Sequence, residues 1–203
     1  MNRIAVAKIL SLLISASGLA VMAGWLFDIG ALKSLGTALV TMKFSTAFSF
    51  VISGVSLYFL ARAREGEPDT SQVALFITSF ILILLMGLIF FSAVLNIRTG
   101  IEELFVKDSG GIKSVLPGRP SVPTMINFLL IALVGILTMV NAENVRFKLR
   151  TIGCIVGFIG ALALLGYCID LPVLYYYIEG KNSAMALHTA GLFVLSGAGL
   201  LCL

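Results

Sequence analysis

Six apolar stretches are the feature that most limits how this chain can fold. A helix that crosses a bilayer needs about 20 mostly apolar residues, at a rise of about 1.5 Å each. The stretches span 5–27, 44–61, 73–97, 124–141, 151–169 and 186–203. Hydrophobic residues make up 59% of the 203 residues and charged residues only 12%, against roughly 45–50% and 25% in soluble domains. The sequence therefore predicts an integral membrane protein of the all-α class with six transmembrane helices.

Basic residues between the stretches predict the orientation. The N-terminus and the second and fourth connections carry seven Lys or Arg in short segments, whereas the other three connections spread seven over longer loops. Because Lys and Arg concentrate in short cytoplasmic loops, we expect a multi-pass protein of the cell membrane with both termini in the cytoplasm. The chain stops inside the sixth apolar stretch, from which we expect a cytoplasmic output domain to follow residue 203 in a longer parent chain.

One motif opens every second stretch. A threonine is followed four residues later by phenylalanine and eight residues later by a small residue. Such residues share one helix face. Small residues let membrane helices approach closely and threonine can hydrogen-bond there, so the motif predicts helix packing, with a shared central pocket as the alternative. The residues are Thr46, Phe50, Gly54, Thr124, Phe128, Ala132, Thr189, Phe193 and Gly197.

The segments before these threonines also match one another. "GWLFD" ends at Asp28 and "GYCID" at Asp170, each 18 or 19 residues before its threonine, and Asn96 takes the same place ahead of a longer loop. We therefore predict one domain, 1–203, made of three tandem repeats of helix, interfacial segment and helix. The repeats cover about 5–61, 73–141 and 151–203.

The connections themselves are partly apolar. Ile29, Leu32, Leu35 and Leu39 have near-helical spacing, which predicts a short amphipathic helix in the membrane interface. Three consecutive tyrosines, 175–177, predict anchors at headgroup depth. In the longest loop Glu102 and Glu103 are expected on a solvated helix face, with Glu103 paired to Lys107 at i, i+4.

The three motif copies resemble a known family. "VTMKFSTAFSFVISGVSLYFL", "PGRPSVPTMINFLLIALVGIL" and "SAMALHTAGLFVLSGAGLLCL" are similar to the repeated N-terminal membrane region of bacterial and archaeal sensor proteins. A pattern close to Met-x-x-Asn/His-Thr-Ala-x-x-Phe-Leu-Leu-x-Gly opens alternate helices there. The third copy follows it at Met185, His188, Thr189, Phe193 and Gly197, whereas Ser45 and Pro123 replace the histidine in the other copies.

This resemblance implies a function in signal transduction. Regions of this kind precede PAS, histidine-kinase or diguanylate-cyclase domains, so the chain is expected to be the membrane-embedded sensory domain of a histidine kinase, a two-component system or a cyclase. The last helix is expected to carry the signal inward, in a homodimer held in the lipid bilayer.

The sequence offers no catalytic centre. It has one histidine, no phosphate-binding loop and no cluster of metal ligands, so we predict no enzymatic activity, metal or cofactor for this chain. A bound lipid or quinone is left open, because Trp25 and Tyr167 are equivalent in the repeat and act either as interface anchors or as walls of a cleft. The cysteines Cys154, Cys168 and Cys202 are predicted to be buried thiols.

Candidate sensing residues lie mainly at helix ends. Asp28 and Asp170 are expected either to stay hydrated or to cap an interfacial helix. A sharper hypothesis places Asp170 within about 4–6 Å of His188, which would raise the histidine pKa and create a proton switch. The candidate set is His188, Asp170, Asp28, Trp25, Tyr167 and Asn127.

Two other classes of protein compete with the sensor. A stand-alone structural or accessory subunit of a membrane complex has the same composition. A small transporter would carry charge or broken helices near the midpoints of its spans, and these stretches hold no charged residue there. No nucleic-acid partner is predicted, because the basic residues lie in short runs between apolar stretches, where lipid headgroups account for them.

Overall fold

The structure is an all-helical bundle, seen in a computed structural model. It describes residues 2–36, 39–66, 68–97, 99–108, 113–179 and 182–203, with the backbone alone at 68 and 69. The described helices are α1 (Arg3–Leu26), α2 (Gly30–Lys33), α3 (Phe44–Arg64), α4 (Pro68–Val94), α5 (Val122–Met139), α6 (Val145–Cys168) and α7 (Leu187–Leu201). Two 3-10 turns cover Ile101–Glu103 and Pro172–Tyr175.

Five of these helices, α1, α3, α4, α5 and α6, are long and apolar enough to cross a membrane. The sixth apolar stretch forms α7, which is apolar but only 15 residues long. The all-α, multi-helix membrane class predicted from the sequence is therefore confirmed by length and composition. The number of spans depends on α7, which is shorter than the roughly 20 residues of an ordinary crossing.

The long helices pair as antiparallel hairpins, α1 with α3, α4 with α5 and α6 with α7, and α3 also packs on α4, α5 and α7. We call the end where α3, α5 and α7 begin the loop end. Gly54 marks where α3 crosses α1, since a Cβ there would lie 2.6 Å from the Ser11 carbonyl oxygen. Gly197 marks where α7 crosses α6, since a Cβ there would lie 2.6 Å from the Gly153 carbonyl oxygen.

The helices α1, α4 and α6 end in the same way. Asp28, Asn96 and Asp170 adopt left-handed conformations, with φ of 56°, 52° and 52°. The next amide in each case donates back to a carbonyl five residues earlier, at 2.8, 3.0 and 2.8 Å. Asp and Asn are the side chains that adopt this conformation at least cost after glycine. Asp28 and Asp170 thus terminate the preceding helix and do not cap the following one.

The connections differ from the sequence predictions. The expected amphipathic helix near residues 29–39 is a single turn, Gly30–Lys33. Tyr175 was expected as an interfacial anchor but is buried, with its ring stacked on that of Tyr167 at 4.3 Å. Tyr176 turns inward, and its hydroxyl donates to the Ile159 carbonyl oxygen at 2.8 Å. These rings have partners within the bundle, so headgroup anchoring is the wrong interpretation for both.

Two further predictions fail, the first of them in part. Glu103 is exposed, as expected, but it accepts the Asp108 amide at 2.9 Å and forms no ion pair with Lys107 among the described residues. Glu102 is buried. Cys154 and Cys168 are exposed on the surface of the bundle, not buried within it. A thiol on an apolar helix can face lipid as easily as protein, and only the packing of the helices decides which.

Candidate functional site

Three phenylalanines meet at the centre of the bundle. Phe50 of α3, Phe128 of α5 and Phe193 of α7 are fully buried. Their ring centroids lie 4.8, 4.9 and 5.0 Å apart, with edge-to-face or tilted rings. Aromatic pairs in these orientations are favourable beyond the area they bury. The three motif positions that the sequence aligns thus form one aromatic triangle, to which each hairpin contributes one ring.

A small cavity lies at the loop end, beside this triangle. It is lined by the three motif threonines, Thr46, Thr124 and Thr189, and by the segments that lead into α3, α5 and α7. Its volume is about 10 Å³, roughly the space that one water molecule needs. We call this space the junction cavity.

The three helices start in register around the junction cavity. Their N-cap residues are Lys43, Ser121 and Ala186, with ψ of 149°, 150° and 149°, and none of them forms a side-chain cap. Each motif threonine is the third residue of its helix. The first amides of a helix have no partner within it. The Val122 amide of α5 is accepted by Asn182, whereas the starts of α3 and α7 have no side-chain cap at this small space.

Two buried ion pairs flank the junction cavity. Lys43 Nζ lies 2.5 Å from Asp108 Oδ2, and Arg119 Nη2 lies 2.9 Å from Glu102 Oε1. Both basic residues line the junction cavity, whereas neither carboxylate does. Each basic residue of the lining is therefore paired with a carboxylate that lies outside the lining.

The environment of Glu102 holds it ionised. Burial alone would raise the pKa of Glu102, but hydrogen bonds from the Ser92 hydroxyl and the Arg119 guanidinium outweigh burial and lower the pKa to about 2. Arg119 also donates to Ser92 Oγ at 2.8 Å and to the Ile97 carbonyl oxygen at 3.0 Å. This network fixes the Arg119 side chain where it borders the junction cavity.

The long connection of the second hairpin ties all three hairpins together here. Asp108 pairs with Lys43 of the first hairpin and accepts the Gly118 amide at 2.8 Å. Towards the third hairpin, Asn182 Oδ1 accepts the Val122 amide at 3.3 Å. The Ala184 amide donates to the Lys113 carbonyl oxygen at 3.1 Å. A connection much longer than its counterparts thus covers the junction.

Trp25 and Tyr167 have equivalent roles in the structure. The Trp25 indole N–H donates to the Met42 carbonyl oxygen at 2.8 Å, and the Tyr167 hydroxyl donates to the Met185 carbonyl oxygen at 2.7 Å. Met42 and Met185 line the junction cavity. Both aromatic residues therefore attach the end of one helix to the start of the next, close to the cavity.

The other predicted sensing residues are dispersed. Asp28 is almost fully exposed, and a hydrogen bond from Lys33 lowers its pKa. Asp170 is exposed, and no hydrogen bond or ion pair joins it to His188 in the described part of the chain. The ring nitrogens of His188 are enclosed without a partner there. The structure thus does not show the contact that the proton-switch hypothesis needs.

Asn127 is the most enclosed of the predicted residues. It is fully buried on α5, and neither its amide oxygen nor its amide nitrogen has a hydrogen-bond partner among the described residues. An unpaired buried amide costs on the order of 1–3 kcal/mol. Its role as a sensing residue stays a prediction.

Sequence reasoning missed the four charged residues of the junction, Lys43, Glu102, Asp108 and Arg119. Lys43 and Arg119 lie close to the start of an apolar stretch, where a basic residue is normally explained as a topology signal. Their partners are 65 and 17 residues away along the chain. The available signal was the position of the two basic residues, three and five residues before a motif threonine.

Comparisons with family models, with curated proteins and with solved structures find no match to this chain. The resemblance to the membrane region of sensor proteins therefore stays a prediction, supported by the motif residues alone.

Proposed function

We propose that this chain is the membrane-embedded sensory domain of a signalling protein, built from six membrane-spanning helices in three hairpin repeats, with both termini in the cytoplasm of the cell. The aromatic triangle is the observation that carries this proposal. Because each hairpin supplies one of three rings in mutual contact, a stimulus that displaces one hairpin also moves α7. A stimulus acts by binding one arrangement of the bundle better than another.

The last helix is suited to transmit such a change. Along α7, Thr189 lines the junction cavity, Phe193 belongs to the triangle and Gly197 lies against α6. A displacement at the loop end is thus passed along a single packed face towards residue 203. In this proposal a kinase or cyclase domain of the same parent chain receives it.

The position of the buried charges argues against a transporter. Within the described part of the chain, the charged residues that are buried are Lys43, Glu102, Asp108 and Arg119. All four lie at the loop end. An ion or substrate path would be expected to place such groups near the middle of the spans.

A surface groove supports the proposed homodimer. Small and apolar residues of α6 and α7, among them Gly153, Gly157 and Ala198, line a groove of about 610 Å³ that is open to the outside. Stripes of small residues allow close approach of two membrane helices.

Cys154 lies on this groove, so oxidative crosslinking in native membranes should give a Cys154-linked dimer. Cys168, at the end of α6, is the internal control because it does not line the groove. An acyl chain or quinone bound in the groove would block crosslinking through Cys154.

The function itself is tested in the parent protein. The reading frame after residue 203 should encode a kinase or cyclase domain. There, Phe193→Leu should change output activity about fivefold or more, because a shift of about 1 kcal/mol between two states changes their ratio about fivefold. Phe91→Leu, on an exposed position of α4, is the matched control. A stop codon after residue 203, or equal output from both variants, would instead favour the accessory subunit.

A further inference from the structure

We propose that the junction cavity binds one halide-sized monovalent anion, with chloride as the physiological candidate. This inference goes beyond the proposed sensory function and is independent of it. It rests on hydrogen-bond donors that converge on a small space at the loop end and find no acceptor among the described residues.

Two threonine hydroxyls point to a ligand. Thr46 and Thr189 line the junction cavity and are each 2% exposed. Neither hydroxyl forms a hydrogen bond with any described residue, whereas Thr124 is paired with Ser121 at 2.7 Å. Buried hydroxyls in native structures nearly always have a partner. Several serine hydroxyls of α3 are also buried without a partner among the described residues. Thr46 and Thr189 differ from them because they come from two helices and line one cavity, so their partner is expected to be something held there.

The surrounding backbone adds further donors. The first amides of α3 and α7 have no side-chain cap, and each helix start carries roughly half a positive charge. Arg119 is 8% exposed, and its Nε also lacks a partner. Helix starts that converge in this way attract anions.

Acceptors in the lining are largely engaged already. The Met42 and Met185 carbonyl oxygens accept from Trp25 and Tyr167. The carbonyl oxygens of the three N-cap residues accept the amides of Ala47, Met125 and Ala190. A water molecule would have to direct its own hydrogens at the hydroxyl oxygens of Thr46 and Thr189, and those hydroxyls would then both donate and accept. A simple anion needs only donors.

Size selects among anions. The volume of about 10 Å³ suits a particle close to the size of one water molecule. A halide is only slightly larger than water, whereas phosphate, sulfate and carboxylates far exceed this volume. The two flanking carboxylates neutralise Lys43 and Arg119, so a single negative charge is balanced by the dipoles of the helix starts.

Thermal unfolding of the purified full chain in detergent tests the proposal. Sodium chloride and sodium bromide should raise the melting temperature in a saturable way over sodium gluconate at equal ionic strength, because a ligand that binds only the folded state stabilises it. The double variant Thr46→Val, Thr189→Val keeps the side-chain shape and should lose this halide-dependent rise. Thr138→Val is the matched control, because that hydroxyl donates to the Val134 carbonyl oxygen on α5.

Equilibrium binding of radioactive chloride to the unmodified chain gives a second measurement that does not depend on the variants folding. One saturable site per chain is expected, with competition by bromide and none by sulfate. Identical melting in chloride and gluconate together with no saturable binding would show that the cavity holds water only. A halide effect that survives in the double valine variant would place the ion elsewhere, and either result overturns the proposal.

Discussion

Two glycines of α7 show how strongly the packing depends on single positions. A Cβ on Gly197 would lie 2.6 Å from the Gly153 carbonyl oxygen and 2.7 Å from Gly157 Cα. A Cβ on Gly191, six residues earlier, would meet nothing within 4 Å. The same residue type in the same helix is thus required at one position and dispensable at the other.

Alanine at these positions should have opposite effects. Gly191→Ala should stabilise the protein by about 0.5–1 kcal/mol, the usual gain of alanine over glycine inside a helix. Gly197→Ala should destabilise it by about 1–3 kcal/mol, because backbone must move to make room. Reversible unfolding in mixed detergent micelles would measure both. A change of the same sign in the two variants would contradict the close approach of α6 and α7.

For single residues of α7, the sequence predicts which side chains share a face but not what that face contacts. The spacing of Thr189, Phe193 and Gly197 is enough to place them along one helix face. It does not show that Thr189 faces a cavity while Gly197 faces another helix. Those roles depend on where α6, α3 and α5 lie, and no local pattern contains that information.

Among the elements of the fold, the long connection between α4 and α5 depends most on charge. Glu102 on its 3-10 turn and Arg119 before α5 form a buried ion pair, and Ser92 at the end of α4 completes the network. Breaking a buried pair by removing one charge is costly, because the other charge is left uncompensated. The connection should therefore loosen when Glu102 loses its charge.

The acid stability of the protein should report this pair. The pKa of Glu102 is lowered to about 2, from an unfolded value near 4.3. Its contribution to stability is then complete above about pH 4.5 and is lost as the pH falls towards 2. Glu102→Gln should lower the melting temperature at pH 7 and flatten its dependence below pH 4.5. The exposed Glu143→Gln should leave both unchanged, and an unaltered acid slope in Glu102→Gln would count against the pair.

The connections were also the elements that the sequence predicted least well. Long apolar runs specify helices almost by themselves, because backbone groups in lipid must be paired internally. Tyr175 lacks such a constraint. A tyrosine at a membrane surface and a tyrosine packed inside have the same local composition, and only Lys113, 62 residues away, and Tyr167 show that this one is inside.

For the whole molecule, the length of α7 decides how many times the chain crosses the membrane. Its 15 residues extend roughly 22 Å at about 1.5 Å per residue, less than the roughly 30 Å of a hydrocarbon core. Close packing against α6 and α3 favours a crossing, because the loop end of α7 is held at the level of the other helix starts.

Reporter fusions can count the crossings. If the chain has six spans, green fluorescent protein fused to either terminus should fluoresce, and alkaline phosphatase fused to either terminus should be inactive. Alkaline phosphatase inserted at Lys107 should be active. This pattern follows from the basic residues beside the first, third and fifth spans. Termini found on opposite sides of the membrane would mean that α7 does not cross and that the chain has five spans.

The aromatic triangle also has a consequence for how the protein is made. Its rings come from residues 50, 128 and 193, so it cannot close until the last helix has left the ribosome. Until then the first two hairpins must remain in the membrane with Phe50 and Phe128 facing an unfilled space. The triangle is therefore completed late in the synthesis of this domain, and a chain that stalls before residue 193 lacks one of its three rings.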